Sequence, residues 1–410
     1  MFFSLKKKDG NDKNDKKFYL SHFLTSTISF GVLHTSLICC VFIQYFKDSG
    51  MLPLQISIIM VSKRILRLFC DGFFGLLFDR FGAKFVFLTG RLLKLLSYII
   101  VLKFANFYGF VIAMLLDGAS YSSIYGKISS YIYNNLSLKK KLDSFPQVMS
   151  IYYLCTNFSI AMMTFFAGIL LKMKGYDTII YISIIMNVSS IFILIKYISG
   201  YDKNIEKFRS KNFRSIFISL KETFTLKKQF KYLILLYGIV SFMAWQFHGI
   251  SSLVLLDMKV TSVDLAFYGT FLKITMGLGA VFSIFISSKK TISLTKCINI
   301  FLTIIVIGFI SAFVYNPYFY YCFCLLLVFS YTTIEVLIEK NFEHYSDKKI
   351  RGTSISLAMT FCSVLAMFSN LLVGFIAQYL NYQIGLIVLM FIILSIVLFI
   401  DVKNLKLKLF

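Results

Sequence analysis

The stretch SKRILRLFCDG, Ser62 to Gly72, sets Lys63, Arg64, Arg67 and Asp71 inside a run of apolar residues. At helical spacing Arg64, Arg67 and Asp71 share one face, with Arg67 and Asp71 four residues apart. A guanidinium fork fits the oxygens of a carboxylate or phosphate, and an ammonium supplies a mobile point charge. The chemistry on offer is therefore the binding of an organic anion or zwitterion. Arg91, Lys94, Asp117, Lys127, Lys273, Glu335 and Glu339 place further charge in apolar surroundings, with cations in excess. Pairing Arg67 with Asp71 and Lys94 with Asp117 makes Arg64 and Lys273 the positions that a bound anion would face. The same side chains also suit a structural part, snorkelling to a membrane surface or relaying charge between helices.

Polar and aromatic stripes accompany the charges. Ser241, Trp245, His248 and Ser252 follow four, three, four spacing, and Asp117, Tyr121 and Tyr125 recur every four residues; both patterns also suit ordinary helix packing. Thr27, Gly31, His34 and Thr35 form a third stripe. No Ser/His/Asp set, metal-ligand cluster or paired-acid motif sits together, so no catalytic residue, metal or cofactor is expected and the chain is not read as an enzyme. The eight cysteines fall in or at the ends of apolar runs and read as small packing residues, not a disulfide framework.

The elements that hold these residues must lie in lipid. Of 410 residues 58% are hydrophobic and the mean hydropathy is +0.77, too apolar for the surface of a soluble domain. A bilayer core takes about 20 apolar residues per helical span, and a backbone in lipid must satisfy its own hydrogen bonds. The Ile/Leu/Phe runs do not alternate with polar residues, which favours helices over barrel strands. Spans are expected near 19–46, 52–78, 84–103, 106–134, 146–171 and 178–198, then near 231–256, 262–287, 294–315, 317–339, 352–379 and 382–401. The expected fold class is all-α, a polytopic membrane protein of twelve transmembrane helices in two six-helix bundles. Its expected parts are a basic tail over 1–18, an N-terminal bundle over 19–200, a basic linker over 201–230, a C-terminal bundle over 231–401 and a tail over 402–410.

Lys and Arg collect in both tails, the linker, the LSLKKKLDSF turn and SDKKIRG, all on one side of a twelve-span layout. That side is expected to be the cytoplasm, with both termini in it, by the positive-inside rule. The net charge of +24 then reflects topology and attraction to anionic headgroups. Its clusters are scattered among loops, which gives no single face for nucleic acid. The first apolar run is long enough to stay as an anchor, so a cleaved leader is not expected.

The turn between the second and third spans, GLLFDRFGAK, carries Gly75, Asp79, Arg80, Gly82 and Lys84. This G-x-x-x-D-R-x-G-x-K pattern resembles the loop 2-3 signature of the major facilitator superfamily, departing from it at Ala83, where the family more often has a basic residue. RGTSISL, Arg351 to Leu357, is similar to the segment with which many members open the eleventh helix. The resemblance implies two bundles rocking about a midplane site. It also implies a gate in which Asp79 faces the start of a helix near Gly352 and Thr353 while Arg80 meets an acid on a neighbouring helix. Spans 1 and 7 commonly line the cavity in this family.

The function this implies is secondary active transport of a small polar organic solute, with an organic anion among the candidates, by alternating access across a plasma membrane, expected to be a bacterial inner membrane. Substrate-binding candidates are Arg64, Arg67, Lys273, Trp245, His248, Tyr121 and Tyr125. No nucleotide-binding loop is present to supply energy, so an ion or substrate gradient is expected, with protons as a partner through Asp117, Glu335 or His34. A monomer in the lipid bilayer is the family expectation. The alternative is proton-coupled efflux of amphipathic drugs or lipid-like compounds, against which the fifth span lacks a Gly-Pro run.

Overall fold

Two glycines set the layout of the N-terminal half. In the computed structural model one helix runs from Pro53 to Lys103 and another from Phe145 to Ile198, each interrupted at a single residue. Gly82 has φ 81° and ψ 172°, and Gly175 has φ 76° and ψ −176°. A positive φ of this size suits a residue without a Cβ. The sequence predicts a surface turn over Asp79 to Lys84; helix instead continues on both sides of Gly82, so the break is confined to that glycine.

The structure describes residues 37–124, 127–138, 145–198, 242, 251–255, 257–288, 300, 303–304, 316–345 and 351–399, with residues 258–261 and 380–381 in connecting turns. Among them the chain forms α1 (Leu37–Asp48), α2 (Pro53–Lys103), α3 (Phe107–Ile124), α4 (Lys127–Leu138), α5 (Phe145–Ile198), α6 (Ser262–Ser288), α7 (Pro317–Tyr345), α8 (Arg351–Tyr379) and α9 (Tyr382–Phe399), with no strand. The linker expected over 201–230 and the tails over 1–18 and 402–410 lie outside the described residues.

Local sequence explains where several helices start. Pro53 occupies the first helical position of α2, where its missing N–H costs nothing, and Gln55 Oε1 accepts the Leu52 N–H at 2.9 Å. Asparagines precede three more helices: Asn106 accepts from Gly109, Asn316 from Tyr318 and Phe319, and Asn381 from Ile384.

Six stretches among the described residues are long and apolar enough to cross a membrane. Val148–Ile195 is 48 residues long, enough for two crossings, with Gly175 between them. The first limb of α2 is of similar length to these but carries Lys63, Arg64, Arg67 and Asp71 in its middle. Large apolar side chains such as Phe69, Phe158, Phe192, Phe285 and Phe368 project outward, as suits a surface facing acyl chains.

Two seams join the halves. On one, α2 meets α8 so closely that a Cβ at Gly374 would lie 2.0 Å from Ser57 Oγ, and the Leu54 N–H donates to Gln378 Oε1 at 3.5 Å. On the other, α5 meets α6: a Cβ at Gly168 would lie 2.2 Å from Ala266 Cβ, and Thr270 Oγ1 donates to the Ala161 carbonyl at 3.3 Å. Small residues at both seams let helix backbones approach in a lipid setting, where packing substitutes for the hydrophobic effect.

Candidate functional site

The α2–α3 contact is tight enough to fix where charges meet. A Cβ on Gly118 would lie 2.1 Å from the Lys63 carbonyl oxygen, and one on Gly90 would lie 1.7 Å from Ser123 Oγ. Both limbs of α2 therefore press on α3, and both deliver a lysine to Asp117. Lys63 Nζ lies 2.7 Å from Asp117 Oδ2, and Lys94 Nζ pairs with Oδ1. Asp117 is 1% exposed, whereas the Lys63 side chain is 28% exposed and that of Lys94 12%. The Lys94 ammonium also sits 5.2 Å from the centroid of the buried Tyr98 ring.

A second group of the same composition lies further along α2. Arg67 Nε is 3.4 Å from Asp71 Oδ2, and Lys127 Nζ is 3.8 Å from Asp71 Oδ1 while donating to the Asp71 carbonyl at 3.0 Å. All three side chains are buried. Tyr121, one turn beyond Asp117 on α3, joins the two groups: Lys63 lies 5.6 Å and Arg67 4.7 Å from its ring centroid. Each group sets two cations around one carboxylate.

The other half reaches the same place. Glu335 of α7, 6% exposed, acts electrostatically on Tyr121 together with Arg64, Arg67 and Asp71, and the same four residues act on buried Cys362 of α8. Charged residues of both halves thus act on the same tyrosine. The ammonium of Lys273 on α6 lies 3.5 Å from Met276 Sδ.

Of the pairs the sequence predicts, Arg67 with Asp71 and Lys94 with Asp117 are both present. The second cation of each group, Lys63 and Lys127, is not predicted. Neither is Asn187 of α5, whose amide accepts from Arg91 Nη1 at 3.2 Å and donates to the Arg91 carbonyl at 3.0 Å. His34, Tyr125, Trp245 and His248 lie outside the described residues.

At the α2 kink, the side chains of Asp79 and Arg80 lie outside the described set, while Lys84 is half-buried. Among the described residues, a Cβ at Gly75 would meet nothing within 4 Å. Helix α8 begins at Arg351, beside the expected Gly352 and Thr353.

At the opposite end of the bundle Lys47, on the last turn of α1, lies 3.9 Å from Asp257, which precedes α6. Asp257 Oδ2 also accepts the Tyr382 N–H at the start of α9, at 3.0 Å. Burial pushes the Asp257 carboxyl above the ordinary range despite the opposing pull of that N–H and of Lys47. Tyr176, just past the α5 kink, donates to Asp48. One end of the bundle is thus tied across the halves.

Residues 19–369 match a family model described as Major Facilitator Superfamily. No curated protein matches the chain. Among solved structures it resembles the nucleoside transporter NupG, with TM-score 0.67 and 14% identity over 94% of this chain and 98% of that one. It also resembles a D-xylose-proton symporter, with TM-score 0.66 and 11% identity over 92% and 97% of the respective chains. Identities this low establish the fold alone: a multi-pass helical membrane fold, with which the expected twelve helices are consistent and of which six membrane-length stretches lie among the described residues.

Proposed function

The chain belongs to the major facilitator superfamily, and we propose that it is a secondary transporter moving a small polar organic anion, a carboxylate or phosphate ester, by alternating access. The observation that carries this reading is the pair of two-cation, one-carboxylate groups, Lys63–Asp117–Lys94 and Arg67–Asp71–Lys127, set around Tyr121. An ionisable group in the hydrocarbon costs at least about 2.5 kcal/mol, so cations gathered there suit a place that water or an anion reaches. Arg64 and Arg67 offer planar donors and Lys63 a mobile one, the combination that suits carboxylate or phosphate oxygens.

Glu335 is assigned the coupling proton, because it is the described buried acid that the opposite half contributes and it acts on the same tyrosine as Arg64 and Arg67. The Asp79 motif and the start of α8 form the gate at one end, and Lys47, Asp257 and Tyr382 tie the other. The positive-inside pattern assigns the Asp79 end to the cytoplasm. The resemblance to a nucleoside carrier and a sugar-proton symporter fits polar metabolites as the general cargo class.

A thermal-shift screen of purified protein tests the reading, since a ligand of the folded state raises its apparent stability. Stabilisation by carboxylates or phosphate esters supports it. Stabilisation confined to neutral nucleosides and sugars, or to hydrophobic cations, contradicts it and in the second case favours efflux.

A further inference from the structure

We propose that Lys63 is the ammonium that the anionic cargo takes, and that Asp117 holds this lysine in the empty carrier, acting as a built-in competitor of the cargo. The inference rests on the anion reading above and adds a specificity-determining pair to it.

The asymmetry between the two lysines of Asp117 carries the argument. Each carboxylate oxygen has its own ammonium, Lys63 on Oδ2 and Lys94 on Oδ1. Lys94 is the more enclosed, with Tyr98, 1% exposed, against its charge. Lys63 has more than twice the exposure and sits over Tyr121, the ring it shares with Arg67. The backbone at Lys63 cannot follow a moving side chain, because Gly118 packs directly against its carbonyl. What can move is the flexible four-carbon stem, swinging the ammonium about a fixed Cα.

If Lys63 leaves, Lys94 still neutralises Asp117, so departure does not strand a buried carboxylate, the situation that makes breaking most buried pairs expensive. An arriving carboxylate or phosphate replaces one Asp117 oxygen as the partner of Lys63, while Arg67 and the Tyr121 ring stay in place beside it. Asp117 thereby sets affinity: the cargo binds the fraction of carriers in which Lys63 has been released, and apparent affinity scales with that fraction.

This account predicts opposite signs for two substitutions at one ion-paired group. Asp117→Asn removes the charge that holds Lys63 and tightens anion binding; a gain of roughly tenfold corresponds to Lys63 being held in about nine carriers out of ten. Lys94→Gln makes Lys63 the sole ammonium on Asp117, so it is held harder and binding weakens. Lys63→Gln loses binding. A role confined to structure would lower stability in all three without separating their affinities.

The experiment is a thermal-shift titration of the full-length protein and each variant with a panel of mono- and dicarboxylates and sugar phosphates, alongside their neutral amides and parent sugars. The expected result is wild-type stabilisation by charged members, tighter apparent binding in Asp117→Asn and weaker binding in Lys94→Gln. Should Asp117→Asn not fold, Lys94→Gln carries the test. Wild-type stabilisation by anions with affinity unchanged or weakened in Asp117→Asn, or unchanged in Lys94→Gln, overturns the competitor role and leaves the anion reading standing. Absence of anion-specific stabilisation in every form overturns both.

Discussion

Lys47 of α1 and Asp257 ahead of α6 meet at 3.9 Å across the two halves of the chain, and Asp257 at the same time caps the start of α9 through the Tyr382 N–H. One carboxylate therefore joins α1 of the N-terminal half to two elements of the C-terminal half, from which α1 must part if this end is to open.

The proton linkage of that contact has a definite sign. Burial raises the Asp257 carboxyl in the tied state, and opening would expose it and return it towards an ordinary value. The state with the higher value binds the proton more tightly, so acid favours the tied state; this contribution is fully present below the ordinary carboxylate value and is lost as pH rises through the raised one. The groups acting on Asp257 are Lys47 on α1 and Tyr382 on α9. A cysteine at buried Ser57, in the adjoining α2–α8 seam, should be alkylated by a membrane-impermeant maleimide more slowly as the medium is acidified, after correction for thiolate fraction. Asp257→Asn should flatten that dependence. A rate that instead rises in acid would refute the linkage.

Asp71 serves two buried cations at once, so Asp71→Asn should remove a counter-charge from both Arg67 and Lys127. Loss of one partner from a buried pair costs about 3–5 kcal/mol, and thermal unfolding in detergent should show a large drop in Tm. Replacing Arg67, Asp71 and Lys127 together with apolar residues should cost less than Asp71→Asn alone. Equal losses would mean the charges are already solvated.

The glycines separate by position. Gly118→Ala would drive a methyl to 2.1 Å from the Lys63 carbonyl and should destabilise by about 1–3 kcal/mol through overpacking. Gly82→Ala should strain a residue at φ 81° by about 1–2 kcal/mol. Gly75→Ala meets no neighbour within 4 Å and should leave Tm unchanged. Loss of stability at Gly75 would point to a contact made in another state of the carrier.

Asp79→Asn should slow transport in reconstituted vesicles while leaving Tm nearly intact, because the attraction of a carboxylate for a helix start is worth at most about 2 kcal/mol and acts at a gate. Unchanged transport would remove Asp79 from the gating role.

Much of the charge pairing is legible in the sequence because two simple rules apply. Arg67 and Asp71 are four apart on one helix, and Lys94 and Asp117 fall at similar depth in adjacent spans. Neither rule reaches Lys63 and Lys127, since which of several neighbouring cations meets a carboxylate depends on helix rotation. Here that rotation follows from backbone contacts at Gly90 and Gly118. Asn187 gives no charge signal at all; only its place opposite Arg91 marks it. The turn at Gly82 is narrower than the charged DRFGAK stretch suggests, because one left-handed glycine is enough to break a helix and charged neighbours can remain helical at a membrane surface. Glu335 is visible as a buried acid, but its approach to Tyr121 depends on how the two halves dock, which no local pattern encodes.

The central claim is that the carrier recognises negative charge. The most direct measurement compares each stabilising carboxylate with its neutral amide, an isostere differing chiefly in charge, by equilibrium binding to the purified protein. The account predicts binding of the acid, loss of most affinity in the amide, and loss of the difference between them in Lys63→Gln. Equal binding of acid and amide in the wild type would contradict it, and would leave the cations between the halves with a structural role.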